Sequence, residues 1–396
     1  MRIVHYLQRI DLAEGGVVRA VLDMTALLAR RGHEVVLITH YDADAPDAWK
    51  LGEPGCPALK VVPGPARPLG LFAATQLQEL EPTIKSADVV HLHACWTTAN
   101  NQLASMARRL GVPYVLSIHG MLDDWCMAQK APKKRVYLAL AGRKTLEHAA
   151  FVHSTAQAEL DQSKKWYPKG RGVVVPLVFD LDPFRTLPGP SLAYKKFGPD
   201  GSGDIHPDEP VVLFLSRVHP KKGVEHLIRA AALLRDRDIP CRTLIAGTGD
   251  EAYAASLRRL IEQHALADHV RLLGLVTGEL KISLFERADV FALPTSQENF
   301  GFVLPEAMAC RTPAITTRGV DIWPELESSG GALIADQSPE AFADAIALLL
   351  HDDARRTRMG DAGRAWVFEH LDPDAIAARF EGMYAQATGA TQEAHA

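Results

Sequence analysis

The chain is 396 residues long, 47% hydrophobic and 23% charged, which supplies enough apolar surface for two cores and excludes a small stapled module. Its 29 glycines and 25 prolines are ordinary usage and exclude collagen-like and wholly disordered chains. Forty-three basic against 48 acidic residues leave a net charge of −5, too acidic for a protein that holds polyphosphate by bulk charge.

Ile3 to Leu7 reads as a short apolar strand, followed by a loop ending in Gly15-Gly16. Val18, Val21, Leu22, Thr25 and Leu28 then recur at helical spacing until Gly32, and Val35 to Ile38 is the β-branched run of a strand buried on both faces. The alternation predicts strands at 89–93, 114–118, 151–153 and 173–175, with helices at 98–110 and 134–148. Residues 176–210 carry Pro176, Pro183, Pro188, Pro190, Pro199, Pro207 and Pro210 and read as an interdomain connection. A second alternation follows: strands at 211–215, 243–246, 270–273, 290–293, 314–316 and 332–335, and helices at 224–236, 251–265, 279–288, 339–350 and 353–369. An amphipathic segment at 374–386 and a frayed tail, ATGATQEAHA, complete the chain.

The fold class expected is α/β, two Rossmann-like doubly wound domains facing a central cleft. The division expected is 1–178 and 179–369, with a helix at about 370–388 packing back on the first domain. Function is to be sought at the carboxyl ends of the strands.

The first strand of the second domain ends in SRVHPKKG, which places Ser216, Arg217, Lys221 and Lys222 on a strand-end loop, where cations suit phosphate oxygens. LIAGTGDEA matches the dinucleotide fingerprint GxGxxA at Gly247, Gly249 and Ala252. Its acidic partner is missing from the end of the next strand, since Asp268 precedes that strand. In PTSQENFGFVLPEAMA, Glu298 on a loop and Glu306 on a helix beginning near Val303 have seven residues between them. Exposed amides of this loop and helix suit an anion, and the two carboxylates can accept from hydroxyls.

In the first domain SIHG puts His119 directly after a strand, at a carboxyl end where a histidine can hydrogen-bond. His91 and His93 share one face of a strand, and with no third ligand evident a metal site is not expected. Asp42-Ala43-Asp44 imitates a metal-binding DxD pair, and it reads as a solvated loop.

Together these segments resemble the retaining nucleotide-sugar glycosyltransferases of family 4, with the two-domain GT-B fold. The resemblance covers nearly the whole chain, and HLHACW resembles a segment of bacterial exopolysaccharide and cell-surface glycan transferases. It implies that Gly15 and Gly16 lie beside the donor phosphates, that Arg217 and Lys222 neutralise the diphosphate, and that His119 lies near the transferred sugar. Glu298 with the backbone of Asn299, Phe300 and Gly301 would hold the sugar and Glu306 the ribose, with Gly247, Leu275 and Val303 also on the donor side. One departure is the linker, where Pro176 is followed by Leu177-Val178-Phe179-Asp180 and only the aspartate fits the family's run.

The activity expected is transfer of a hexose from a UDP- or GDP-linked donor to a glycan or lipid-linked glycan hydroxyl, with retention, without a metal and without a cofactor beyond the donor. A nucleotide-sugar epimerase, an NAD-dependent dehydrogenase using Gly247, Gly249 and Ala252, and a catalytically silent nucleotide-sugar binder are the alternatives. No nucleic acid partner is expected. Cys56, Cys95, Cys126, Cys241 and Cys310 form no CxxC pair and suit a reducing compartment. Arg9, Asp11 and Glu14 interrupt any signal-peptide core, and no run of about 18 apolar residues occurs, so the location expected is cytoplasmic. Residues 1–180 hold 21 basic and 17 acidic residues, and 181–396 hold 22 and 31. Lys130, Lys133, Lys134 and Arg135 follow Trp125 and Met127, while Lys164, Lys165, Lys169 and Arg171 surround Trp166 and Tyr167. Such groupings suit peripheral contact with an anionic inner-membrane face.

Overall fold

A computed structural model describes residues 1–62, 70–199, 201–203, 205–206 and 208–393. The chain divides into two compact units, Met1–Asp180 with Asp372–Ala396, and Leu181–Leu371.

The first unit is built on β1 (Arg2–Tyr6), β2 (Glu34–Thr39), β3 (Ala58–Val61), β4 (Val89–His93), β5 (Tyr114–Ser117), β6 (Phe151–Ser154) and β7 (Gly172–Val174). They form one parallel sheet in the order β3-β2-β1-β4-β5-β6-β7. The central strands are buried on both faces, so their sequences do not alternate with solvent-facing residues, and the polar ones among them, His5, His91, His93 and Ser117, are buried too. The second unit holds β8 (Val211–Leu215), β9 (Arg242–Ala246), β10 (Val270–Gly274), β11 (Val290–Leu293), β12 (Ala314–Thr316) and β13 (Ala332–Ile334). Their order is β10-β9-β8-β11-β12-β13, again all parallel. Each sheet reverses its strand order at its first strand, β1 or β8, and such reversals open a crevice at the strands' carboxyl ends.

Several expectations need correction. Residues 176–210 are not a bare connection: helices Asp182–Arg185 and Ser191–Phe197 form there, and the second packs on helix Gly278–Arg287. Proline at the first or second helical position of the shorter one is compatible with helix initiation; Pro207 lies outside the described residues. The expected helix 134–148 begins at Ala131 and passes through a π-helical segment, Leu138–Gly142. The edge strand β3 and helix Ala74–Lys85 went unread, since β3 is only partly buried and Pro82 sits inside the helix. The last helix runs Pro373–Glu393, through most of the expected tail, and 394–396 lie outside the described residues.

That last helix belongs to the first unit. Ile376, Phe380, Met383, Tyr384 and Ala387 are buried at helical spacing, and full burial of a side chain such as Phe380 contributes about 1.5–3 kcal/mol. At its edge Arg31 holds Glu381 through two bonds of 2.7 and 3.0 Å and Asp374 through one of 2.9 Å. This pairing, with His33, draws the Glu381 carboxyl down to about 2.

Beneath the helix the sheet carries polar groups rather than a plain apolar face. His153 Nε2 lies 2.7 Å from the Val175 carbonyl, which only accepts, so Nε2 carries the hydrogen. Burial drives the His153 pKa down to about 4 and His91 well below its ordinary value, so both rings are neutral near pH 7. Each direction then follows from the one before. Ser117 donates to His153 Nδ1 at 2.6 Å, His91 Nε2 donates to Ser117 Oγ at 2.7 Å, and Tyr384 donates to His91 Nδ1 at 2.7 Å. One carbonyl thus sets the tautomers across β6, β5 and β4 and fixes the hydroxyl of the last helix. Tyr384→Phe keeps the packing but leaves His91 Nδ1 buried without a donor. Chemical denaturation of this variant is expected to show a loss of about 1–3 kcal/mol; a loss within error of zero would mean that the chain of bonds does not hold the helix.

Candidate active site

Three neighbouring strands of the second unit, β9, β8 and β11, place their following loops together. The loop after β8 carries Arg217, which is exposed, and a short 3-10 turn, Pro220–Lys222, in which Lys222 is buried. The His219 side chain caps that turn by accepting from the Lys221 N–H at 3.1 Å. The loop after β11 is laced to it, because the Ser296 N–H and the Thr295 and Ser296 hydroxyls all donate to the Lys221 carbonyl, at 2.8, 3.1 and 3.0 Å. This lacing brings the Lys222 ammonium into contact with the Glu298 carboxylate. Burial, with Lys221 and Arg217 nearby, pushes Lys222 down to about 7, and the carboxylate against it opposes that shift.

Glu298 is held at its backbone too: its N–H donates to the Gly319 carbonyl at 2.8 Å and its own carbonyl accepts from Asp321 at 2.9 Å. Gly301 has φ +67°, and a Cβ there would meet Glu298 Cγ at 3.0 Å and Leu304 Cδ1 at 3.2 Å. The turn therefore needs glycine on grounds of both conformation and space. Asn299 directs its side chain to Asp321 at 3.0 Å and Phe300 is buried. Helix Val303–Ala309 carries Glu306, bound to Lys281 at 2.7 Å. Lys281 escaped the sequence reading, since nothing in GELKISLF distinguishes it from a solvated helix lysine. Leu275, just after β10, is 70% exposed.

Gly247 and Gly249 find a different explanation from the dinucleotide fingerprint. A Cβ on Gly247 would fall 1.8 Å from the Ser216 carbonyl, and one on Gly249 1.8 Å from the Val218 carbonyl. The turn after β9 runs against the cationic loop, with Val218 N–H donating to the Thr248 carbonyl at 2.9 Å. These glycines admit protein backbone.

In the first unit Gly15 ends a 3-10 turn, Leu12–Glu14, and helix Gly16–Arg30 begins at Gly16. Asp44 accepts from the Leu12 N–H at 2.7 Å, so the Asp42-Ala43-Asp44 run is partly a tie for that turn rather than a solvated loop. His119 follows β5 with φ +50°, a left-handed conformation that a non-glycine residue keeps only when its surroundings hold it. The holder is Glu159, buried and unforeseen, which accepts from the Gly120 N–H, from Thr155 N–H at 2.5 Å and from the Thr155 hydroxyl at 3.0 Å.

His91 and His93 do lie on one face, and the expectation that no third imidazole accompanies them is wrong: His5, paired in register with His91 on β1, has a nitrogen within 4.8 Å of theirs. The rings are engaged with one another. His5 Nδ1 lies 3.1 Å from His93 Nε2, and His93 Nδ1 lies 3.1 Å from His119 Nε2. Burial pushes His5 and His119 down to about 3 and His93 well below its ordinary value, so all are neutral at pH 7.

Comparison with known proteins matches residues 15–177 to the glycosyl transferase 4-like domain and residues 201–366 to glycosyl transferases group 1. A D-inositol 3-phosphate glycosyltransferase of Xylanimonas cellulosilytica is 31% identical over 94% of this chain and 92% of its own. A GDP-mannose-dependent alpha-(1-6)-phosphatidylinositol monomannoside mannosyltransferase of Mycobacterium tuberculosis is 31% identical over 70% of this chain and 71% of its own. Among solved structures, Anabaena HepE in complex with UDP superposes with a TM-score of 0.77 at 20% identity, covering 97% of this chain and all of that one. With both family models in order along the two units and a full-length relative above 30% identity, the chain belongs to the retaining family 4 glycosyltransferases, which have the GT-B fold.

Proposed function

We propose that the donor is a nucleotide-diphosphate hexose, held by the second unit, and that the contact of buried Lys222 with Glu298 marks where its diphosphate meets the sugar. That contact carries the reading: a desolvated ammonium backed by a carboxylate, with Arg217 on the same loop, suits an anion whose charge grows. In the reaction the bond from the anomeric carbon to the diphosphate breaks and the electron pair stays on the phosphate oxygen. Arg217 and Lys222 stabilise that charge, which catalyses most strongly where water is excluded. The acceptor hydroxyl forms its bond on the face the diphosphate leaves, and its proton goes to the departing phosphate. Glu298 and the backbone of Asn299, Phe300 and Gly301 orient the sugar. Glu306, released from Lys281, receives the ribose hydroxyls. In the first unit Gly15, Gly16 and His119 are the candidates for contact with substrate.

The relatives named for inositol 3-phosphate and for a phosphatidylinositol mannoside support a hydroxyl-rich, anionic acceptor, and the basic surplus of residues 1–180 suits one. Of the two basic groups in that half, Lys134 bonds to Cys126, Lys164 to the Gly170 carbonyl and Lys165 to Asp124. Around Lys133 and Arg135, however, Val136 is 57% and Leu140 80% exposed. Exposed apolar residues beside lysine and arginine support peripheral contact with an anionic bilayer on the cytoplasmic side. Among the described residues no helix is long and apolar enough to cross a membrane.

Lys222→Ala and Arg217→Ala are each expected to lower turnover by about a hundredfold with the fold retained; full activity of either variant with the proper donor would remove the diphosphate assignment. Glu306→Gln should mainly weaken nucleotide binding in calorimetry, whereas Glu298→Gln should preserve nucleotide affinity and damage transfer. Equal loss of affinity in the two would contradict that division. Because side chains supply the cations, activity is expected to persist in EDTA, and complete loss restored by magnesium or manganese would count against it. The protein should sediment with anionic but not neutral vesicles at low salt and be released as screening rises. Val136→Asp with Leu140→Asp should abolish sedimentation; unchanged sedimentation would place the contact elsewhere.

A further inference from the structure

The bonds His5–His93–His119 differ from those leading to Tyr384 because no carbonyl fixes their direction. His5 Nε2 and His119 Nδ1, the two ends, are buried with no hydrogen-bond partner among the described residues. Three neutral rings hold three protons and allow two arrangements. In one, His119 Nε2 donates to His93, His93 Nε2 donates to His5, and the stranded N–H is His5 Nε2. In the other, His5 Nδ1 donates to His93, His93 Nδ1 donates to His119, and the stranded N–H is His119 Nδ1. A buried N–H without an acceptor is costly, so the arrangement adopted depends on which end can gain one. Both rings are buried, but His5 is in mid-sheet with no exposure, whereas His119 retains 7% exposure and stands on the loop after β5.

We propose that His93 and His5 are positioning residues that fix the proton of His119 on Nδ1 when a ligand oxygen reaches that ring. The ligand is an oxygen acceptor of the substrate, either a sugar hydroxyl or a phosphate oxygen. Binding there satisfies the stranded N–H, and the three protons take one sense along β1, β4 and the loop after β5. The ring then cannot turn its bare nitrogen to the ligand without breaking the bond to His93. This inference rests on the reading that His119 contacts substrate.

The test is a long-range 1H–15N correlation spectrum of protein labelled at histidine, with His119, His93 and His5 assigned from single variants. Spectra are taken alone, with UDP or GDP, and with UDP-glucose or GDP-mannose. A nucleotide sugar that binds is expected to give the Nδ1–H pattern for all three rings; if the nucleoside diphosphate alone does so the partner is phosphate, and if only the sugar nucleotide does it is a hydroxyl. His93→Phe should leave His119 a mixture of tautomers in the bound state and lower kcat by about tenfold or more, with KM for the donor little changed. His93→Gln, whose amide can donate to His119 and accept from His5, should restore the single pattern and much of kcat. His5→Phe breaks the chain one ring further away and gives the same comparison if His93→Phe does not fold. A bound-state His119 with Nε2–H, an unchanged His119 pattern in His93→Phe, or stoichiometric zinc or copper in the purified protein would overturn the proposal. Full turnover by His119→Gln would instead overturn the underlying reading of His119, while the tautomer spectra still report on the bonds themselves.

Discussion

A polar group withdrawn from water must find its partner inside the protein, and both units are organised by that requirement. In the second unit the Lys221 carbonyl takes its donors from the loop after β11, and buried Lys222, brought with it, meets Glu298. In the first the same requirement turns the middle of a sheet face into an ordered set of imidazoles and hydroxyls, ending at the Val175 carbonyl. Neither arrangement follows from apolar burial, which is indifferent to direction. The directions come from the fixed donor and acceptor roles of each group.

The two polar layers differ in how completely they are satisfied. From Val175 to Tyr384 every ring nitrogen has a partner, which suits a permanent seam between sheet and helix. From His5 to His119 both ends are bare. In the second unit Glu306 is held by Lys281, and Lys222 by Glu298. A polyhydroxylated anion can enter such a site by exchanging partners already charged and already oriented, which limits the reorganisation needed during reaction.

The positions of most strands and helices were legible in the sequence because parallel sheets buried on both faces leave unbroken β-branched runs such as Val35 to Ile38. The edge strand Ala58–Val61, half in solvent, leaves no such run, and proline density concealed the helix Ser191–Phe197 within the expected connection. Arg217, Lys222, Glu298 and Glu306 stand out in the sequence because loop cations and paired glutamates occur in a recognisable order. Other members of the polar clusters do not: Lys281 looks like any helix lysine, and His5 reaches His91 and His93 only through strand pairing across more than eighty residues. The turn after β9 matches the dinucleotide fingerprint only in part, and a glycine that admits backbone and one that admits pyrophosphate look alike in one dimension.

The chain leaves the first unit at Asp180 and returns to it at Asp372. During synthesis, the strands of the first unit emerge early, but Phe380 and Tyr384 exist only after the second unit has been made. Until then His91 Nδ1 lacks its hydroxyl and the sheet face beneath the last helix is uncovered. The second unit, by contrast, takes all its strands and helices from one continuous stretch, Leu181 to Leu371. The unit whose strands are made first is therefore the one whose core cannot close until the last helix of the chain has been made.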